Sequence, residues 1–155
     1  MSYIFVPYLL AKNKAMMITR PTHLNNDFYY TAYIKVASGE ELMQALRDIG
    51  NQTLKIFNQL SEEQSRFAYA EGKWTIKQVL RHITDAERVF AYRALRFSRK
   101  DGTALPGFEE DDYAASDNSH HLRLKSIIEE YIDVRKSTMM LFSTMPKDGL
   151  DFEGT

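Results

Sequence analysis

Four ionisable side chains crowd into the seven residues "HITDAER": His82, Asp85, Glu87 and Arg88. An imidazole can bind a metal or carry a proton near neutral pH, and a nearby carboxylate can orient it. A zinc-type centre takes three or four ligands, and here only Asp85 stands at i+3 from His82, so the segment is not a metal site by itself. His120 and His121 are adjacent at the expected start of a helix, where the dipole disfavours an imidazolium; they read as solvent-facing cap residues. His23 has no spaced partner, and the acidic run Glu109 to Asp112 reads as solvated, with a cation or partner contact as the alternative.

Other chemistry is excluded by type. The chain has no cysteine, which removes disulfides, thiolate metal sites and cysteine nucleophiles and fits a reducing cytoplasm. It also lacks a glycine-rich phosphate loop, a Gly-x-Ser-x-Gly elbow, a His-Glu-x-x-His pair and a dinucleotide fingerprint. Lysines and arginines are scattered among acids and the formal net charge is −1, so neither a nucleic-acid groove nor an anionic membrane is an expected partner.

Helices must position these residues. The segment "SGEELMQALRDIGNQTLKIFNQL" carries Leu42, Leu46, Ile49, Leu54, Ile56, Phe57 and Leu60 at helical spacing, with Ser38 and Glu41 as an expected capping box. Ser61 to Lys73 is a connector, with Ser61 capping a short turn and Gly72 closing it. A second helix is expected from about Thr75 to Arg99, then a long loop through Pro106 and Gly107. A third runs from about Ser119 to Met145 with an inner stripe of Leu124, Ile127, Ile128, Tyr131, Val134, Thr138, Leu141 and Phe142, and Pro146 stops it. The composition, 44 % hydrophobic and 26 % charged over 155 residues, is that of one globular domain, and the pattern is all-α, a bundle with three long helices. Residues 1–19 read as an extension or arm whose apolar run, Tyr3 to Ala11, is far short of the ~20 residues that span a bilayer. Residues 20–37 read as an extended lead-in that lays Phe28, Tyr29, Tyr30 and Tyr33 on the body.

On the second helix, Ile76, Val79, Leu80, Ile83, Phe90, Ala94 and Phe97 fall in one apolar sector, and His82 lies about 90° from its middle. His82 is thus a boundary residue. Spacing favours a partly buried histidine hydrogen-bonded to a carboxylate or carbonyl over a ligand or catalyst. Glu87 points towards the core and needs a cation, for which Arg93 and Arg135 are the candidates. Trp74 should anchor the helix's first turn in the core.

The stretch "YAEGKWTIKQVLRHITDAERVFAYRALRFSRKDGTALPGF" resembles the DinB-like superfamily, and within it the YfiT-like metal-dependent hydrolases. The shared pattern is Gly72-Lys73-Trp74-Thr75-Ile76, then His82, Asp85 and Glu87-Arg88, the Arg93 to Arg96 segment and Pro106-Gly107-Phe108. The likeness covers roughly residues 20–155, as a DinB-like helical domain. It implies a four-helix bundle, commonly dimeric, with a divalent metal, zinc or nickel, held by three histidines. His82 matches the first of these ligands. The other two belong to a Gly-His-x-x-His-His motif on a fourth helix that this sequence does not contain, and His120 and His121 match neither. The resemblance therefore implies a C-terminally truncated domain, with no tight metal binding or normal turnover expected of the chain as it stands.

For intact relatives the resemblance implies a Lewis-acid metal that lowers the pKa of a bound thiol or water, in a hydrolase or thiol S-transferase acting on a small molecule or thiol. The alternative is a non-enzymatic helical module that pairs with another chain through an apolar groove lined by Ile83, Phe90 and Leu141.

Overall fold

The computed structural model describes residues 17–21, 31–37 and 39–152. Most of the arm with Tyr3 to Ala11, together with His23, Phe28, Tyr29, Tyr30 and Ser38, lies outside these residues. The described chain is all-α: α1 (Thr31–Val36), α2 (Leu42–Phe57), α3 (Ile76–Ser98), α4 (Glu110–Ser116) and α5 (Leu124–Ser143). The three long helices stand where the hydrophobic spacing places them. Two short ones do not follow from it. The described part of the lead-in is helical at α1 and leaves Tyr33 62 % exposed, and the long loop folds into α4 midway.

Local caps explain the boundaries. At α2 the cap is Glu41 itself, whose carboxylate accepts from the backbone N–H groups of Met43 (2.9 Å) and Gln44 (2.7 Å), in place of the expected Ser38–Glu41 box. Ser61 and Gln64 form a reciprocal pair at the connector turn, Gln64 N to Ser61 Oγ 3.1 Å and Ser61 N to Gln64 Oε1 2.8 Å. Gly72 takes φ +72°, a left-handed conformation that glycine adopts at little cost. The last helix starts at Leu124, because Leu122 and Arg123 are extended; His120 and His121 sit in the turn Ser119–His121 before it.

Cross-helix contacts fix the directions. The N-terminal end of α3 meets that of α5 where Lys77 Nζ donates to the carbonyl of Leu122 (2.5 Å). Further along, Arg81 and Arg88 both reach Glu130, and Glu87 pairs with Arg135. Beyond the helix ends, Gly149 lies against Ser98. The two helices therefore run parallel. Helix α2 runs the other way, since Arg135 Nη1 donates to Leu46 O (2.8 Å) while Glu62, just past α2, accepts from Leu124 N (2.8 Å) at the start of α5.

Helix α5 lies between α2 and α3 and supplies most of the core: Leu124, Ile127, Ile128, Tyr131 and Ile132 pack with Leu54, Phe57 and Leu80. Each such side chain contributes roughly 1.5–3 kcal/mol of burial. The buried stripe of α3 is rotated from its apolar sector. Lys77, Leu80 and Thr84 are the residues wholly inside, whereas Val79 and Phe90 are 38 % and 45 % exposed. Charge pairing permits this. Lys77, 1 % exposed, gives its ammonium to Glu62 and the Leu122 carbonyl. Its hydrogen bond, with that of Leu124 N, holds the Glu62 carboxyl below its ordinary value. Arg135 donates to Glu87 Oε2 through Nε (3.0 Å) and Nη2 (2.9 Å), so of the two candidate partners Arg135 takes Glu87.

Arg93 turns instead to the long loop, donating to Pro106 O (3.1 Å); Arg96 donates to Thr103 O (3.0 Å) and pairs with Asp101. The hydrogen bond from Arg96, then that from Thr103 N, lowers the Asp101 carboxyl from 3.8 to about 2. Among the described residues no helix is long and apolar enough to cross a membrane.

Two glycines should respond in opposite senses to alanine. A Cβ on Gly149 would sit 2.7 Å from Ser98 O, so Gly149→Ala should cost about 1–3 kcal/mol by overpacking. A Cβ on Gly50, inside α2, would meet Arg135 Cγ at an ordinary 3.7 Å, and Gly50→Ala should gain roughly 0.5–1 kcal/mol. Urea unfolding of both variants checks the pair, and a stabilised Gly149→Ala would contradict the packing described. Because Asp101 is depressed in the folded state, its tether contributes above pH 3.8 and is lost as the pH falls towards about 2. Asp101→Asn should therefore show a shallower loss of stability than the wild type across that window. Parallel pH–stability curves for the two proteins would rule out the tether.

Candidate functional site

The site is built from the first turns of α3 and the crossing of α4 over them. Thr75 caps α3, accepting from Gln78 N (3.2 Å), while Gln78 Oε1 accepts from Thr75 N (2.9 Å). This capping box fixes which residue begins the helix and hence which way His82 faces. Trp74 precedes the cap. It is half-buried, and its indole packs on the His82 imidazole at a centroid distance of 4.9 Å and an angle of 47°. Trp74 thus anchors the first turn against the histidine rather than in the core.

The acidic run is the first turn of α4, where three carboxylates, Glu110, Asp111 and Asp112, complement the helix dipole. Buried Ala114 lets α4 approach α3, and Gln78 Nε2 donates to Ala114 O (3.1 Å). This docking brings Glu110 Oε2 to 3.7 Å from His82 Nε2, too far for a hydrogen bond and close enough for charge attraction to an imidazolium. The His82 side chain is 26 % exposed at a cleft of about 10 Å³, room for about one water-sized species.

His82 makes no protein hydrogen bond among the described residues, so the hydrogen-bonded structural histidine expected from spacing is not what the fold contains. Asp85 lines the same cleft and accepts from Arg88 (3.0 Å), with no hydrogen bond to the imidazole. Arg88 also donates to Glu130 (2.7 Å); burial opposes ionisation of that carboxyl, and the bonds from Arg88 and Arg81 nevertheless keep it below its ordinary value. His120 and His121 are exposed, their rings in contact at a centroid distance of 3.9 Å and tilted by 42°.

Could these residues hold a metal? His82 and Glu110 supply two donors of suitable type, an imidazole nitrogen and a carboxylate oxygen. No group of three histidine or carboxylate ligands comes together among the described residues, so they do not complete a centre.

Sequence reasoning singled out His82 and missed its surroundings. The Thr75-x-x-Gln78 spacing was a readable capping signal. That Glu110 faces His82, 28 positions away, needed the crossover to be seen.

Comparison with known proteins agrees with the helical architecture. The sequence profile of the DinB superfamily matches residues 31–155. A protein of Geobacillus thermodenitrificans named "Putative metal-dependent hydrolase" is 25 % identical over 115 residues, 73 % of this chain and 65 % of the relative. A protein of Geobacillus kaustophilus with the same description is 29 % identical over 75 residues, 48 % of this chain and 42 % of the relative. The chain thus spans less than two thirds of the length of either. No solved structure gives a significant match. With the family profile covering both the helices that build the core and those that frame His82, the chain belongs to the DinB superfamily.

Proposed function

We propose that the protein is a metal-dependent enzyme of the hydrolase or thiol S-transferase type, in which His82 is one ligand of a divalent zinc or nickel ion. The observation that carries this reading is the state of the imidazole. It is braced on one side by Trp74, faces a carboxylate at 3.7 Å, and gives neither nitrogen to a protein hydrogen bond among the described residues. A structural histidine at a half-buried position ordinarily satisfies at least one ring nitrogen. The names of both Geobacillus relatives support the metal-dependent class. The remaining two ligands are assigned to the Gly-His-x-x-His-His motif that the resemblance to intact DinB-like enzymes implies and this sequence does not contain, and the bound metal would act as a Lewis acid on water or a thiol.

Titration calorimetry with zinc and with nickel tests the assignment, on this chain and on the product of any reading frame continuing past codon 155. The form with the full ligand set should bind one ion, and His82→Ala should weaken it by at least about tenfold. Unchanged affinity in His82→Ala would exclude His82 as a ligand.

A second reading rests on a separate observation. Val79 and Phe90 leave one face of α3 apolar and exposed, beside half-buried Ile83. Such a face favours a helical module that pairs with another chain, a second copy included. Light scattering should then show a dimer that Phe90→Glu dissociates; a wild-type monomer at high concentration would count against the pairing.

A further inference from the structure

Trp74 also lines a second, larger concavity, an open trough of about 920 Å³. Gln78 and Ala114 belong to the linings of both the trough and the His82 cleft. These two residues are joined by a hydrogen bond, Gln78 Nε2 to Ala114 O at 3.1 Å. Trp74 is in the trough lining while its ring also packs on His82. The trough and the cleft are neighbours that share the Gln78 and Ala114 walls.

Its lining has a definite chemistry. Phe67, Tyr69 and Trp74 provide three aromatic rings, and Ile76 and Val79 add aliphatic surface. Phe67 is 62 % and Tyr69 75 % exposed, yet the connector that bears them is fixed. Phe67 O accepts from Ile76 N (3.1 Å) in the first turn of α3, and Lys73 N donates to Ala70 O (3.2 Å) beside Gly72. Large rings held out on a pinned backbone lose little further freedom when they close on a ligand. The lining's charges are Lys73, which has no carboxylate partner among the described residues, and Asp111 on the α4 wall.

We propose that this trough is the substrate-recognition site of the His82 centre, and that it takes a small molecule with an apolar ring system and an acidic group. The rings of Phe67, Tyr69 and Trp74 stack on the apolar part, and the Lys73 ammonium meets the acid. A volume near the upper end of the ~300–1,000 Å³ usual for ligand sites suits a small organic molecule. The assignment of this trough to a reaction rests on the reading of His82 as a metal ligand; the ring-and-acid selectivity does not.

The lone tryptophan makes the site directly readable. The probe is 8-anilino-1-naphthalenesulfonate, a fused ring system with an anionic group, followed by energy transfer from Trp74. Saturable binding is expected. Phe67→Ala combined with Tyr69→Ala, two exposed positions whose loss should leave the fold intact, should weaken it by about tenfold. Lys73→Gln should weaken it by roughly threefold. The probe measurement is made without added metal, which separates the trough from the metal assignment tested by calorimetry. Probe affinity that is equal in the double variant and the wild type overturns the proposal, because the probe then sits on the apolar face around Phe90. Absence of saturable transfer overturns it as well.

Discussion

Helices α3 and α5 run parallel and share the largest contact in the core, and that pairing dictates how the rest of the chain must travel. Parallel neighbours cannot be joined by a tight turn. After α3 the chain has to return over the length of a 23-residue helix, about 35 Å, before α5 can begin. The long segment between them is this return path, and it is held to the bundle as it goes. Arg93 and Arg96 hold its first half at Pro106 and Thr103, and Gln78 holds its second at Ala114. His82 stands about 160° around the helix from fully buried Leu80, so on a hairpin-connected bundle it would face open solvent. The crossover gives it a neighbour.

Buried charge sets the register of that parallel pair. Leucine and isoleucine surfaces tolerate a shift of one helix along another, whereas a buried ammonium or guanidinium is stable only opposite its partner. Lys77 is satisfied where Glu62 and the Leu122 carbonyl converge, at the start of both helices. Arg135 is satisfied where Glu87 and the Leu46 carbonyl converge, midway along them and against α2. The two clusters lie ten residues apart on α3, close to three helical turns, so a slide that kept one would break the other. Glu62 serves twice, since its second oxygen takes the first free N–H of α5, a helix whose own cap residue Arg123 makes no side-chain cap bond.

These same charges account for what the sequence concealed. The spans of α2, α3 and α5 follow from apolar spacing, and the inner stripe of α5 is right in Leu124, Ile127, Ile128, Tyr131 and Thr138. Hydropathy points α3 inward through Val79 and Phe90, yet the core receives Lys77 and Thr84, because Lys77 finds Glu62 fifteen positions earlier in a connector. Only the pairing of Glu87 with an arginine was legible, as a carboxylate on the inner side of an amphipathic helix. Helix α4 was hidden for a different reason. Seven residues rich in acid have little helical stability alone, and its existence depends on docking against α3 through Ala114. His82 could be named from its motif, but its partners Trp74 and Glu110 come from the cap before it and the crossover above it.

Gln78 joins those two sources. Its carbonyl oxygen accepts from Thr75 N and closes the capping box, and its amide nitrogen donates to Ala114 O and seats α4. One side chain therefore sets both the angular position of His82 and the position of the helix that carries Glu110. Sliding α3 by one residue in register would turn a given ring by about 100°, enough to carry His82 away from both Trp74 and Glu110. A glutamate at this position could keep the cap but offers no amide hydrogen to Ala114, and an alanine keeps neither bond. The amide is the group that satisfies both neighbours at once, and the spacing of Trp74, Gln78 and His82 along one stretch of chain is the physical content of the motif.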